Sequence, residues 1–152
     1  MIEKLVTKLK SILEMNSLLQ VSYSYEREDA TGTPFATLTP SANENAYSTT
    51  TENERVYAFL IRLFVERKGQ SLAENCEATM RALVDSVLNQ FDSDWNLSDP
   101  LGTTAPLATQ TGYTFLFMEA TPSAWGYVGR ENEYRVAEIE VRCHFSIDVN
   151  LV

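Results

Sequence analysis

The sequence has a single histidine, His144, and two cysteines, Cys76 and Cys143, which lie far apart with no C-x-x-C spacing. A thiol or imidazole metal site has too few ligands to be built from this set. Nucleophilic catalysis by a Cys-His pair would have to use Cys143 and His144, yet adjacent residues of a strand point to opposite faces. No stretch approaches the 18 consecutive apolar residues of a membrane span, and the opening MIEKLVTKLK is charged every third or fourth position, unlike a signal peptide. A chain of this kind is expected neither to be exported by that route nor to cross a membrane. Basic residues are also scarce: 12 Lys and Arg stand against 21 Asp and Glu, a net charge of −9. Nucleic-acid or anionic-membrane binding through clustered cations is therefore not expected. G-x-S-x-G, G-x-x-x-x-G-K, G-x-G-x-x-G and H-E-x-x-H are all missing. These absences give no reason to read an enzyme or to assign a cofactor.

What is present is an ordinary globular composition, 44% hydrophobic over 152 residues, which fits a single domain spanning residues 1–152. Ile2, Leu5, Val6, Leu9, Ile12 and Leu13 fall on one helical stripe, predicting an amphipathic helix that ends near Asn16. Short β-like runs follow at 21–25 and 35–39, the second bracketed by Pro34 and Pro40, as suits an edge strand. Residues 41–53, SANENAYSTTTEN, hold one large apolar side chain, Tyr47, and read as a long polar loop. RVYAFLIRLFVER, 55–67, is β-branched and aromatic and reads as a strand closed by a Lys68-Gly69 turn. Ser71 and Glu74 form a capping box before a second helix carrying Cys76, Met80, Leu83, Val84, Val87, Leu88 and Phe91 at helical spacing. Residues 93–112 are rich in turn formers, 113–120 read as a strand, and 121–132 as a turn region. From Ala137 to Leu151 apolar and polar residues alternate, the mark of a long strand with one solvated face.

The order α, β, β, β, α, β, β lacks βαβ alternation, so the expected class is α+β: an antiparallel or mixed sheet of about five strands with two helices on one face. Both cysteines fall on apolar faces and are expected as buried free thiols of a reducing compartment, on the same side of the sheet. His144 is expected on the solvated face. The carboxylates Glu26, Glu28, Asp29 and Asp92, Asp94, Asp99 lack calcium-loop spacing and read as solvated turn charges. Trp95 and Trp125, in turn-rich segments, read as lids on the core. The 55–66 and 113–120 strands are apolar on both faces, more than two helices can cover. Either the chain's own loops cover the second face or another copy does. The candidate subunit-interface residues are Tyr47, Leu60, Phe64, Leu116, Met118 and Trp125.

The segments TPFATLTPSANENAYSTTTENERVYAFLIRLF, RALVDSVLNQFD and GYTFLFMEATPSAWGYVGRENEYRVAEIEVRCHF, in this order, resemble the tail-terminator and tail-completion proteins of long-tailed bacteriophages and prophages. The likeness covers nearly the whole chain and rests on order and length rather than on a catalytic motif. It implies a structural virion protein without cofactor: a homohexameric ring that caps the tail tube, joins tail to head, and leaves a central channel for DNA. The implied partners are further copies of itself, the tail tube protein, head–tail connector proteins, and DNA passing without sequence-specific binding. The implied place is the virion tail, assembled in the bacterial host cytoplasm. A neck or head–tail joining protein, or an oligomeric binding module outside virions, are the alternatives.

Overall fold

The computed structural model describes residues 1–27, 33–47, 49–67, 73–94 and 111–151. Its elements are α1 (Ile2–Glu14), β1 (Val21–Tyr23), β2 (Phe35–Tyr47), β3 (Glu52–Glu66), α2 (Ala73–Ser93), β4 (Tyr113–Val128) and β5 (Tyr134–Asp148). They make an α+β fold with one five-stranded sheet in the order β1-β2-β3-β5-β4. β1 runs parallel to β2 and the remaining pairings are antiparallel, so the sheet is mixed.

Both helices lie on one face of this sheet. Leu5, Leu9, Ile12 and Leu13 of α1 and Cys76, Met80, Leu83, Val84, Val87 and Phe91 of α2 are buried in one cluster with Tyr57, Phe59, Ile61, Leu63 and Val65 of β3. β5 adds Ala137, Ile139, Val141, Cys143, Phe145 and Ile147, every second residue, as its alternating sequence requires. The two helices are tied together by Asn16, whose amide donates to Ser86 Oγ at 3.1 Å and Gln90 Oε1 at 3.0 Å. Its carbonyl oxygen accepts from the Leu18 backbone N–H at 3.0 Å, so this buried polar side chain is fully engaged. Gln90 in turn donates to the Ile12 carbonyl oxygen near the end of α1.

Two segments depart from the sequence expectation. Residues 41–47 are not loop: they continue β2, pair with β3 through Tyr47↔Asn53, and make a long hairpin whose turn lies between Tyr47 and Glu52. Every residue from Ser41 to Tyr47 is exposed, so no hydrophobic period marks the strand. Residues 121–128 are not a turn region either, since β4 runs on through Pro122 to Val128. β4 is an edge strand, where a missing proline N–H leaves no ladder bond unmade on the open side. β2 is an edge only from Leu38 onward, because β1 covers Phe35–Thr37. The Lys68-Gly69 turn, Ser71 of the capping box and the 95–110 stretch lie outside the described residues.

The turn from β4 to β5 needs left-handed backbone at Gly129, φ 88°, and at Glu131, φ 54°. Glycine takes that conformation without steric cost.

Candidate assembly surface

The sheet face opposite the helices divides into two regions. At one end Phe35, Phe64 and Val136 are buried in a second, smaller cluster, with Val21, Tyr23, Val128 and Tyr134 packed against it. Phe35 and Phe64 stack at 4.5 Å with an interplanar angle of 2°. The rest of this face is ionic. Arg62 Nε lies 2.9 Å from Glu138 and its Nη1 3.5 Å from Glu26. Arg142 Nη2 meets Glu44 at 2.7 Å, and Nη1 meets Glu140 at 3.5 Å. The hydrogen bond that Arg142 donates to Glu44 raises the Arg142 pKa above its ordinary value. Arg142 Nε is 3.7 Å from Glu119, close enough for Coulomb attraction and too far for a hydrogen bond. Five carboxylates thus surround two guanidinium groups, leaving the face with excess negative charge.

The expectation that β3 carries apolar residues on both faces holds for that strand, but charged side chains of its neighbours share the second face, so it is not a bare apolar surface. Val56, Ala58 and Leu60 do lie on the second face, yet long Arg and Glu side chains flank them. His144 is on this face as expected but is not freely solvated: its ring stacks on Phe117 at 4.1 Å, and Nε2 lies 3.2 Å from Glu119.

β4 carries the other exposed apolar surface. Opposite β5 its register shifts between Phe115 and Phe117 and again between Pro122 and Ala124. Leu116 is the extra residue of the first bulge and stands 41% exposed. The bulge changes the parity of the strand: Phe115 lies opposite core-facing Phe145, while Phe117 lies opposite outward-facing His144 and is 40% exposed. Beyond the second bulge Trp125 is 44% exposed, and Tyr127 is also exposed. The guanidinium of Arg135 sits over both rings, 5.5 Å from Trp125 and 4.7 Å from Tyr127, and is fixed by Glu77 of α2 at 2.8 Å. Trp125 is accordingly a ring on the edge of the molecule rather than a lid on the core.

Of the remaining candidate residues, Tyr47 is the most exposed at 71%, at the end of the hairpin. Leu60 is half-buried on the ionic face. Met118 is 5% exposed and packs in the main core, because the first bulge turns it toward Cys143; Phe64 is 1% exposed in the smaller cluster. These two side chains are used by the chain's own packing. The polar face of β5 was legible in the alternation of Glu138, Glu140, Arg142 and His144. The ion pairs on that side of the sheet, which involve Glu26, Glu44, Arg62 and Glu119, and the exposure of Phe117 were not, because the bulge that exposes Phe117 has no sequence mark.

A cleft of about 570 Å³ opens where α1 meets the hairpin base, lined among others by Ile2, Asn43, Asn45, Arg55, Tyr57 and Tyr113. Its polar groups serve one another: Arg55 donates to Asn45 Oδ1 at 2.8 Å and to Tyr57 Oη at 3.2 Å. Cys143 and His144 point to opposite faces, and burial pushes the Cys143 thiol up to about 12. Among the described residues no group of three or more His, Cys, Asp or Glu is placed to hold a metal ion. Also among these residues, no helix is long and apolar enough to cross a membrane. Glu28, Asp29, Asp99 and Trp95 lie outside the described residues.

No protein-family model and no curated protein sequence matches the chain. Solved structures do. A chain from the virion of a native gene transfer agent particle superposes with a TM-score of 0.62 at 14% identity, covering 93% of this chain and 94% of that one. At this identity the likeness establishes the fold, which the two chains share over nearly their full lengths.

Proposed function

We propose that this chain is a structural component of a phage-like virion, and within it a tail terminator: a homohexameric ring that caps the tail tube, contacts head–tail connector proteins, and leaves a channel through which DNA passes. The observation that supports the reading most is the sharing of a whole fold, end to end, with a chain of a gene transfer agent virion. Two features of the surface agree with it. Five large exposed apolar side chains, Tyr47 at the hairpin end and Leu116, Phe117, Trp125 and Tyr127 on the edge strand β4, lie at opposite sides of the sheet, where a ring needs two different patches on each copy. The ionic sheet face is negative, and a negative wall lets a polyanion slide without adhering. The interface residues in this reading are Tyr47, Leu116 and Trp125, with Leu60 on the wall side. A neck or head–tail joining ring is the second reading, since it would need the same edges and the same wall.

Electron microscopy of lysates from a producer lacking this chain is the test. Overlong tails without heads are expected, whereas a neck protein's loss leaves tails of normal length that fail to join heads. Normal infectious particles at normal yield would overturn the virion role.

A further inference from the structure

We propose that copies of this chain join by completing one another's sheet: the free outer edge of β2 in one copy pairs antiparallel with the free outer edge of β4 in the next. This rests on the ring reading and names its contact.

Among the described residues the sheet has two open edges, and the levels at which they are open coincide. β1 covers β2 only at Phe35–Thr37, leaving Leu38–Tyr47 without a partner strand on that side. Followed across the registers, Leu38 is level with Ile61, Ile139 and Pro122, and Tyr47 is level with Asn53, Ile147 and Tyr113. The free stretch of β2 therefore spans the same height, and the same number of residues, as Tyr113–Pro122 of β4. Beyond Pro122, which has no N–H to offer, β4 makes its second bulge at the height where β1 of a neighbour would stand. Each stretch also contains one register shift, between Pro40 and Asn43 in β2 and between Phe115 and Phe117 in β4.

Direction agrees too. Three successive antiparallel pairings make β4 run opposite to β2. Rotation about an axis along the strands preserves strand direction, so β4 of one copy meets β2 of the next antiparallel. The residues brought level are compatible: Tyr47 with Tyr113, Thr39 with Thr121, and Glu44 with Phe117. An aromatic pair and a Thr–Thr pair are favourable across strands, and no like charges stand directly opposite in these pairs. The contact gives partners to a hairpin whose residues 41–47 bury nothing within the chain, and removes two long open edges that otherwise invite uncontrolled pairing.

Ala46 and Thr114 are both exposed and level on the ionic face, through Glu54 and Ser146. The double variant Ala46→Cys/Thr114→Cys, purified, concentrated and oxidised with copper phenanthroline, is expected to give a ladder of covalent oligomers on a non-reducing gel. Ala46→Cys/Ala124→Cys, whose positions differ in height, is expected to give none. Assemblies seen by native mass without a Thr114-dependent ladder would overturn the strand pairing and leave the ring reading standing. A ladder from both variants alike would also overturn the pairing. Protein that forms neither assemblies nor a ladder would overturn both.

Discussion

Cys143 and Cys76 illustrate how much of a residue's chemistry follows from the face it occupies. Both are buried on the helix side of the sheet, where loss of hydration disfavours the thiolate, and burial is the largest cause raising each pKa. A thiolate is the reacting species, so native protein at pH 8 is expected to react with Ellman's reagent far more slowly than unfolded protein, with both thiols becoming titratable in guanidinium chloride. Prompt release of two equivalents from native protein would show that this core opens readily. Glu77 presents the opposite case. Its hydrogen bonds to Arg135 lower its pKa, so the ionised form is favoured in the fold. A lowered folded pKa contributes stability that is present above the ordinary carboxyl value of about 4.3 and is lost as pH falls through the folded value. Glu77→Gln is accordingly expected to cost about 1 kcal/mol at pH 7 and to converge on wild type near pH 2–3. Urea titrations at the two pH values would detect this convergence, and an equal cost at both would exclude it.

At the scale of elements, legibility in the sequence tracked burial. α1 and β5 were readable because one side of each is packed and the other is not: Leu5, Leu9, Ile12 and Leu13 mark a helical stripe, and Val141, Cys143, Phe145 and Ile147 mark a period of two. The outer half of the β2–β3 hairpin was unreadable because both faces of Ser41–Tyr47 are exposed in the chain, and a strand that packs against nothing leaves no apolar pattern. β4 was misread at its far end because Pro122 and Gly126 signal a turn, whereas at a sheet edge both are tolerated. Its bulges then reverse which side chains face inward, which is why Met118 lies in the core and Phe117 does not. Phe64 was assigned to an interface because the second face of β3 looked uncovered. In the fold it stacks on Phe35 and meets Tyr134 edge-on at 6.2 Å. Phe64→Ala is therefore expected to destabilise the isolated chain by about 3–5 kcal/mol, the range for removing a buried aromatic side chain. Chemical denaturation of the monomer would read it, and a change below about 1 kcal/mol would return Phe64 to the surface candidates.

For the whole molecule, the hairpin end and the packed body have separable consequences. The core cluster extends along β3 from Val65 to Tyr57, while β2 beyond Pro40 is exposed throughout. The hairpin end is held mainly by its own backbone ladder, by Asn53 donating to Asn45 Oδ1 at 3.2 Å, and by pairing of Glu52–Arg55 with Phe145–Asp148. Replacing residues 45–55 by Asn-Gly, a two-residue turn suited to hairpins, removes the outer half while keeping Glu44↔Val56 as the last pair. Little apolar area is lost from the core, so the shortened chain is expected to fold with a loss of no more than about 2 kcal/mol. Assembly is a different matter, because the deleted residues include Tyr47 and the last three positions of the open edge of β2. The shortened chain is expected to remain monomeric by light scattering at concentrations where the full chain associates, and to fail to complete particles. Its circular dichroism should otherwise match a five-stranded sheet with two intact helices. Normal oligomer mass and normal particle yield from the shortened chain would mean that the hairpin end is dispensable, and would confine the contact between copies to the remaining edges of β2 and β4 and the ionic face.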